Sequence, residues 1–112
     1  MTKSNFNEYL KSRRELNKIP QRQLANLLDI DTPMYSRIER GERKAKREQV
    51  IALGKFFNDD NLLNLWLADK VLDTLAYEEN PEEILTLVSE QLVENGSNKL
   101  SSVEERVSMK YK

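Results

Sequence analysis

Four neighbouring residues have the types and the spacing needed to recognise another molecule through hydrogen bonds. Thr32, Pro33, Ser36 and Arg37 lie at helical spacing and share the face that remains once the core residues of the same helix are assigned. A guanidinium can donate twice to guanine O6 and N7, whereas a proline ring offers only apolar contact, for instance with a thymine methyl. We therefore expect this face to read nucleic-acid bases, with Arg37 as the principal reading residue.

A dense group of cations follows this face directly. The run RGERKAKR spans residues 40–47, and its cations are Arg40, Arg43, Lys44, Lys46 and Arg47. Residues 1–47 hold 12 Lys and Arg against 6 Asp and Glu, whereas residues 48–112 hold 6 against 13. The net charge of −1 therefore hides a basic half that suits phosphates. The alternatives are a solubilising loop and ordinary solvated helix faces.

The chain contains no Cys and no His, and this excludes several kinds of site. Thiolate or imidazole zinc sites, disulfides and His-based nucleophilic triads all need those side chains. Asp29 and Asp31 lie in a predicted turn, where two acids are far more often helix caps than metal ligands. We therefore expect no enzyme, no metal, no cofactor and no small-molecule substrate.

Short helices must position the base-reading and phosphate-binding candidates. The spacing of apolar residues predicts such helices along residues 1–77. The first covers residues 5–17, the second about 21–28, and the third follows the N-cap Asp31 and closes at Gly41. Pro20 starts the second helix, and Pro33 is tolerated in the first turn of the third. The second and third helices meet at a tight turn within about residues 20–41. Helices over 48–57 and 61–77 complete an all-α domain that spans residues 1–77.

Residues 61–77 carry more apolar side chains than one helical face can hold. Such an excess indicates a partner surface, and a second copy of the chain is the simplest candidate. A further helix within residues 78–95 either packs within the chain or completes the dimer. The residues predicted for dimerisation are Leu62, Leu63, Trp66, Leu67, Leu75, Ile84 and Val88. The stretch NGSN at 95–98 is predicted to end that helix, and residues 96–112 form either a short helix or a frayed tail.

Many matched positions at fixed spacing give residues 6–58 a resemblance to a known family. The matching residues are Gln21, Leu24, Ala25, Leu28, Ile30, Asp31, Tyr35, Ser36, Ile38, Glu39 and Gly41. Their order resembles the XRE/Cro-type helix-turn-helix family of bacterial and phage regulators. The resemblance implies a five-helix, lambda-repressor-like DNA-binding domain, which here carries a C-terminal helical extension.

The resemblance also implies how individual residues meet double-stranded DNA. In similar proteins, the residues that match Thr32, Pro33 and Arg37 face base edges in the major groove. The residue that matches Gln21 grips a phosphate, and the one that matches Arg40 lies near the DNA backbone. These roles are expectations for the present chain.

The resemblance has further implications for residues outside the predicted base-reading face. Arg14 and Glu39 match positions that typically form a structural ion pair, and Arg47 matches a position that can enter the minor groove. Asp29 stands where the family favours Gly, so Asp29 is expected to adopt a left-handed conformation, which Asp tolerates better than most residues. Tyr35 takes an apolar slot, and we expect it in the core with its hydroxyl at the edge.

The leading hypothesis is a transcription regulator that acts as a homodimer on a palindromic operator. Binding over a promoter would repress, which we favour, and contact with RNA polymerase from an adjacent site would activate. Residues 29–51 also resemble regulators associated with restriction-modification genes. The alternative is an antitoxin-like interaction module whose acidic C-terminal half binds a partner protein. Without a signal-peptide run or a long apolar stretch, we expect the protein in the cytoplasm and not in a membrane.

Overall fold

A computed structural model describes residues 5–98, and all regular structure in that range is helical. The six helices are α1 (Asn5–Leu16), α2 (Gln21–Leu27), α3 (Thr32–Glu39), α4 (Arg47–Phe57), α5 (Asn61–Leu75) and α6 (Pro81–Asn98). The all-α prediction is therefore confirmed. Of the tail predicted over residues 96–112, residues 99–112 lie outside the described part of the chain. The described residues divide into two compact units, the first ending at Thr74 and the second beginning at Leu75.

Local sequence explains where α3 begins. The Asp31 carboxylate accepts a hydrogen bond from the amide N–H of Met34 at 2.8 Å, so the predicted N-cap is confirmed. Pro33 lies in the first turn, where its missing N–H leaves no helix bond unmade. Two residues that flank α3 have left-handed backbone. They are Asp29, with φ 58°, before the helix and Gly41, with φ 79°, after it. Asp29 therefore adopts the conformation that was expected of it.

The core of the first unit is built from one face of each of its helices. Its buried apolar residues are Phe6, Leu10, Leu24, Ala25, Tyr35, Ile38, Ala45, Val50, Leu53, Phe57 and Leu62. Leu63, Leu65 and Trp66 of α5 are half-buried and pack against this cluster. Helix α5 thus completes the core, because its first turns cover the helices that precede it.

Two sequence predictions are wrong. Leu62 cannot belong to a dimer surface, because its side chain is fully buried within the core of a single chain. The helix predicted within residues 78–95 is also too short, because α6 continues through Gly96 to Asn98. Glycine in a helix interior costs only about 1 kcal/mol relative to alanine, so a single glycine does not have to stop a helix.

Within the second unit, α6 carries apolar side chains that expose between 47% and 67% of their surface. They are Leu85, Leu87, Val88, Leu92 and Val93. The segment 75–98 contains six glutamates and neither Lys nor Arg. The described residues include no helix with the length and apolar character needed to cross a membrane.

Candidate nucleic-acid interface

A buried ion pair fixes the reading helix to α1. Arg14 donates through Nε to Glu39 Oε2 at 2.5 Å and through Nη2 to Glu39 Oε1 at 3.0 Å. The remaining Arg14 nitrogen, Nη1, donates to the carbonyl oxygen of Ile19 at 2.9 Å. The structure therefore brings together the two residues that the resemblance paired. Because Glu39 closes α3, this contact sets the position of the whole helix.

Two further donors complete the shell around Glu39. The Tyr35 hydroxyl donates to Oε2 at 2.7 Å, and the Gln21 amide donates through Nε2 to Oε1 at 3.1 Å. Tyr35 is fully buried, which confirms its predicted place in the core, and its hydroxyl contacts the charged pair. Its hydroxyl is buried because it has a charged acceptor inside the protein. Gln21, which was expected to bind a phosphate, thus donates a hydrogen bond to a buried carboxylate of its own chain.

The shell determines the protonation of its members. Burial alone would raise the pKa of Glu39, but hydrogen bonds from Arg14, Tyr35 and Gln21 outweigh burial and leave that pKa below its ordinary value. Burial, followed by the hydrogen bond to Glu39, raises the pKa of Tyr35. The hydrogen bond to Glu39 is also the main cause that raises the pKa of Arg14. Near neutral pH the cluster therefore holds one anion, one cation and a neutral phenol.

The outer face of α3 carries the residues predicted to read bases. Pro33 and Arg37 are exposed, and Thr32 and Ser36 are partly exposed. Tyr35 and Ile38 occupy the opposite, buried face, so side chains that can hydrogen-bond point away from the core. Within the described part of the chain, the Arg37 side chain makes no hydrogen bond or ion pair. Its donors are therefore available to another molecule.

A second arginine, Arg40 at the C-cap of α3, is held by its neighbours. Arg40 Nε donates to Glu42 Oε2 at 2.9 Å, and Arg40 Nη2 donates to Glu42 Oε1 at 3.1 Å. Arg40 Nη1 donates to Ser36 Oγ at 2.6 Å. The side-chain hydrogen bond to Arg40 is also the largest cause that lowers the pKa of Glu42. The pairing of Glu42 with Arg40 was not predicted from the sequence, although the two residues are only two positions apart.

The loop between α3 and α4, residues 40–46, is fastened to α5. The Trp66 indole Nε1 donates to the carbonyl oxygen of Ala45 at 2.9 Å. Lys44 Nζ forms an ion pair with Asp73 Oδ2 at 3.1 Å, and both side chains are exposed. Trp66, predicted to contact a second copy, therefore holds this loop within its own chain. No spacing in the sequence pointed to Asp73, because its partner lies 29 residues away.

The cations predicted for phosphate contact surround this loop. Arg43, Lys44, Lys46 and Arg47 are all exposed, and Arg47 is the first residue of α4. Together with the outer face of α3 they give the first unit a surface that combines hydrogen-bond donors with concentrated positive charge. Such a surface has the groups that DNA recognition requires, base readers beside phosphate binders.

Of the other predicted residues, Leu67 is exposed on α5, and Leu63 is half-buried against the core. Leu75, Ile84 and Val88 belong to the second unit, where Val88 is exposed and the other two are half-buried. The first unit therefore offers a smaller apolar surface than the sequence suggested. On α5 its exposed large apolar residues are Leu67, Val71 and Leu72.

Comparison with known proteins agrees with this geometry. A family model described as helix-turn-helix matches residues 10–58, from the middle of α1 to the end of α4. No curated protein and no solved structure matches the chain significantly. The matched range contains α2, α3 and the loop of residues 40–46.

Proposed function

Residues 10–58 belong to the helix-turn-helix family of DNA-binding transcription regulators, and from this premise we propose a sequence-specific regulator that binds double-stranded DNA as a homodimer. Its operator is palindromic, because a two-fold symmetric dimer presents the same reading helix twice. The two helices would then meet half-sites about 34 to 36 Å apart, one turn of DNA. The protein acts on DNA in the cytoplasm.

The outer face of α3 carries this proposal. It places Thr32, Pro33, Ser36 and Arg37 on one side of a helix whose other side is buried. In helix-turn-helix proteins the N-terminal residues of the second helix of the motif contact base edges in the major groove. Arg37, whose side chain makes no hydrogen bond to the described residues, is the assigned direct reader of a guanine.

Contacts to the DNA backbone are assigned to the cations beside that face. Arg43, Lys44, Lys46 and Arg47 would position the protein on phosphates without reading sequence. We also assign Gln21 to a phosphate. Its amide nitrogen carries two hydrogens, so one remains for DNA while the other is donated to Glu39.

Dimerisation is assigned to the exposed part of α5. Leu67, Val71 and Leu72 expose 37%, 48% and 43% of their surface, and all three lie within two turns of the helix. An apolar patch of this kind on a small charged domain is suited to contact with a second copy. Because α5 also holds the loop of residues 40–46 through Trp66, a dimer formed here would keep the two DNA-binding faces in a fixed relation.

The biological role follows as part of the same proposal. A dimer that covers a promoter blocks RNA polymerase, so repression is the proposed mode, and contact with polymerase from an adjacent site would be the activating variant. Residues 29–51 resemble regulators of restriction-modification genes, which makes those promoters the first operators to examine.

A gel-shift titration against randomised duplex DNA tests the proposal. We expect a minor fraction of the pool to bind at low protein concentration and, after repeated selection, to share an inverted repeat. Equal affinity for every sequence at fixed salt would refute the proposal. Selected sites without two-fold symmetry would refute the homodimer while leaving sequence recognition in place.

A second candidate function is an antitoxin-like module that binds a partner protein through its acidic half. The observation that favours it is α6, which combines exposed leucines with glutamates and carries no cation. An unrelated chain that co-purifies in a fixed stoichiometric ratio, and is released when Leu85 and Val88 are replaced by Ser, would support this candidate. A chain that purifies alone after co-expression with neighbouring genes would count against it.

A further inference from the structure

The orientation of Arg40 distinguishes it from the other cations near α3. Its guanidinium is bound along one edge by both oxygens of Glu42 and at Nη1 by the Ser36 hydroxyl. Exposed ion pairs usually contribute little, but two-point pairing of arginine with a carboxylate fixes direction as well as distance. Arg40 is therefore held in place before any DNA arrives.

These contacts hold the guanidinium against the reading face. With about 3.6 residues per turn, Arg40 lies between Ser36 and Arg37 around the axis of α3. Its bond to Ser36 draws the guanidinium back by one turn toward the N-terminal half of the helix. That half is the part of a reading helix that approaches base edges.

Counting donors shows what Arg40 can still offer. A guanidinium has five N–H groups in a rigid fork. Glu42 uses one on Nε and one on Nη2, and Ser36 uses one on Nη1. One N–H on Nη1 and one on Nη2 remain, which is the number of donors that guanine O6 and N7 require.

We propose that Arg40 is a second base-reading residue, directed at a guanine, and that Glu42 and Ser36 are its positioning residues. This inference rests on the proposed DNA-binding function, and it departs from the expectation that Arg40 lies near the DNA backbone. Ser36 gains a role as well. Because its oxygen accepts from Arg40, its own proton is directed to a base acceptor such as guanine N7 or thymine O4.

The carboxylate argues against a phosphate contact for Arg40. Binding to phosphate depends on net positive charge, because each neutralised phosphate releases a counterion. Glu42 cancels the charge of Arg40 and would repel a phosphate placed beside it. Base edges carry no formal charge, so a neutralised but oriented arginine loses little there and gains direction.

The experiment compares four full-length proteins by selection from a random duplex pool and by titration of the selected sites. They are the wild type, Arg40→Lys, Glu42→Gln and the control Lys55→Arg. Arg40→Lys keeps the charge but loses the fork, so we expect roughly a 5- to 150-fold loss of preference for guanine at one position of each half-site. Glu42→Gln should reduce preference at that same position without weakening binding to other sequences. Lys55→Arg, an exposed cation of α4 outside the proposed interface, should leave every base preference unchanged.

Each outcome decides a separate point. If the wild type selects no sequence, the proposed function itself fails. If the wild type is selective and Arg40→Lys selects the same sites, Arg40 does not read a base. If Arg40→Lys changes one position and Glu42→Gln does not, the positioning role of Glu42 is refuted. Both residues are exposed, and circular dichroism of each variant verifies that it folds like the wild type.

Discussion

Arg14 and Glu39 form a two-point ion pair in which both carboxylate oxygens accept from one guanidinium. The Glu39 side chain exposes 2% of its surface and the Arg14 side chain 13%, so the pair is almost removed from water. It joins α1 to the last residue of α3. The reading face is therefore positioned by charge as well as by the apolar core.

Replacing Arg14 by Met should destabilise the protein severely. The substitution leaves the buried Glu39 carboxylate without its cation, and loss of one partner of a buried pair costs about 3 to 5 kcal/mol. Urea denaturation followed by circular dichroism measures this loss. Lys11→Met on the exposed side of the same helix is the control and should change the free energy of unfolding by less than about 0.5 kcal/mol. Equal effects of the two substitutions would show that the pair is not important for stability.

Stability should fall in acid because of Glu39. Its pKa in the folded protein lies below the ordinary value of 4.5, so the ionised form is favoured by folding. The resulting stability is present above pH 4.5 and is lost as the pH falls through the folded pKa. Urea midpoints measured from pH 7 to pH 3 test this. The pKa of Glu42 is also lowered, so Glu42 contributes a loss of stability in acid as well. The specific test is therefore the variant Glu39→Gln, whose urea midpoint should fall less steeply below pH 4.5 than that of the wild type.

The sequence was most informative where local chemistry determines structure. The cap at Asp31 and the buried face of α3 follow from neighbouring residues, and both are present. The left-handed backbone at Asp29 was implied by the family resemblance, and it too is present. Contacts between distant segments could not be read in the same way. Trp66 meets Ala45 and Lys44 meets Asp73 only because α5 folds back over the loop of residues 40–46, and neither spacing has a helical or turn signature.

The prediction for Leu62 shows why exposure was harder to predict than helicity. Residues 61–75 have apolar side chains on several faces, so periodicity cannot tell which face meets the core. The sequence suggested that Leu62 and Trp66 would contact a partner. In the structure Leu62 fills the core, and Leu67, Val71 and Leu72 are left outside.

Leu62→Ala should therefore destabilise a single chain. Removing a fully buried leucine side chain costs about 2 to 5 kcal/mol, part of it from the cavity that remains. Chemical denaturation at two protein concentrations measures the loss and shows whether association contributes. Leu67→Ala, on the same helix but 37% exposed, is the matched control and should cost far less at low concentration. A similar loss in both variants would contradict the division of α5 into a buried and an exposed face.

Val71→Lys should separate the proposed dimer without unfolding the chain. Val71 is 48% exposed, so a lysine there can be solvated in the monomer, whereas a second copy on the same patch would bury its charge. Sedimentation velocity at micromolar concentration should show a dimer for the wild type and a monomer for the variant. Ser12→Lys, at an exposed position of α1 outside this surface, controls for added charge. A wild-type monomer, or a variant that still dimerises, would exclude this surface.

Arg37→Ala and Arg43→Ala should weaken DNA binding in different ways. Arg37 is assigned to a base, so its loss should cost about 1 to 3 kcal/mol at the preferred site and relax preference at one base pair. Arg43 is assigned to a phosphate, so its loss should weaken all sequences alike and reduce the slope of log affinity against log salt by about 1. Fluorescence anisotropy titrations of a selected and a scrambled duplex at several salt concentrations separate the two effects. Identical losses on both duplexes for the two variants would refute the assignment, because a residue that reads bases must distinguish sequences and one that binds phosphate must not.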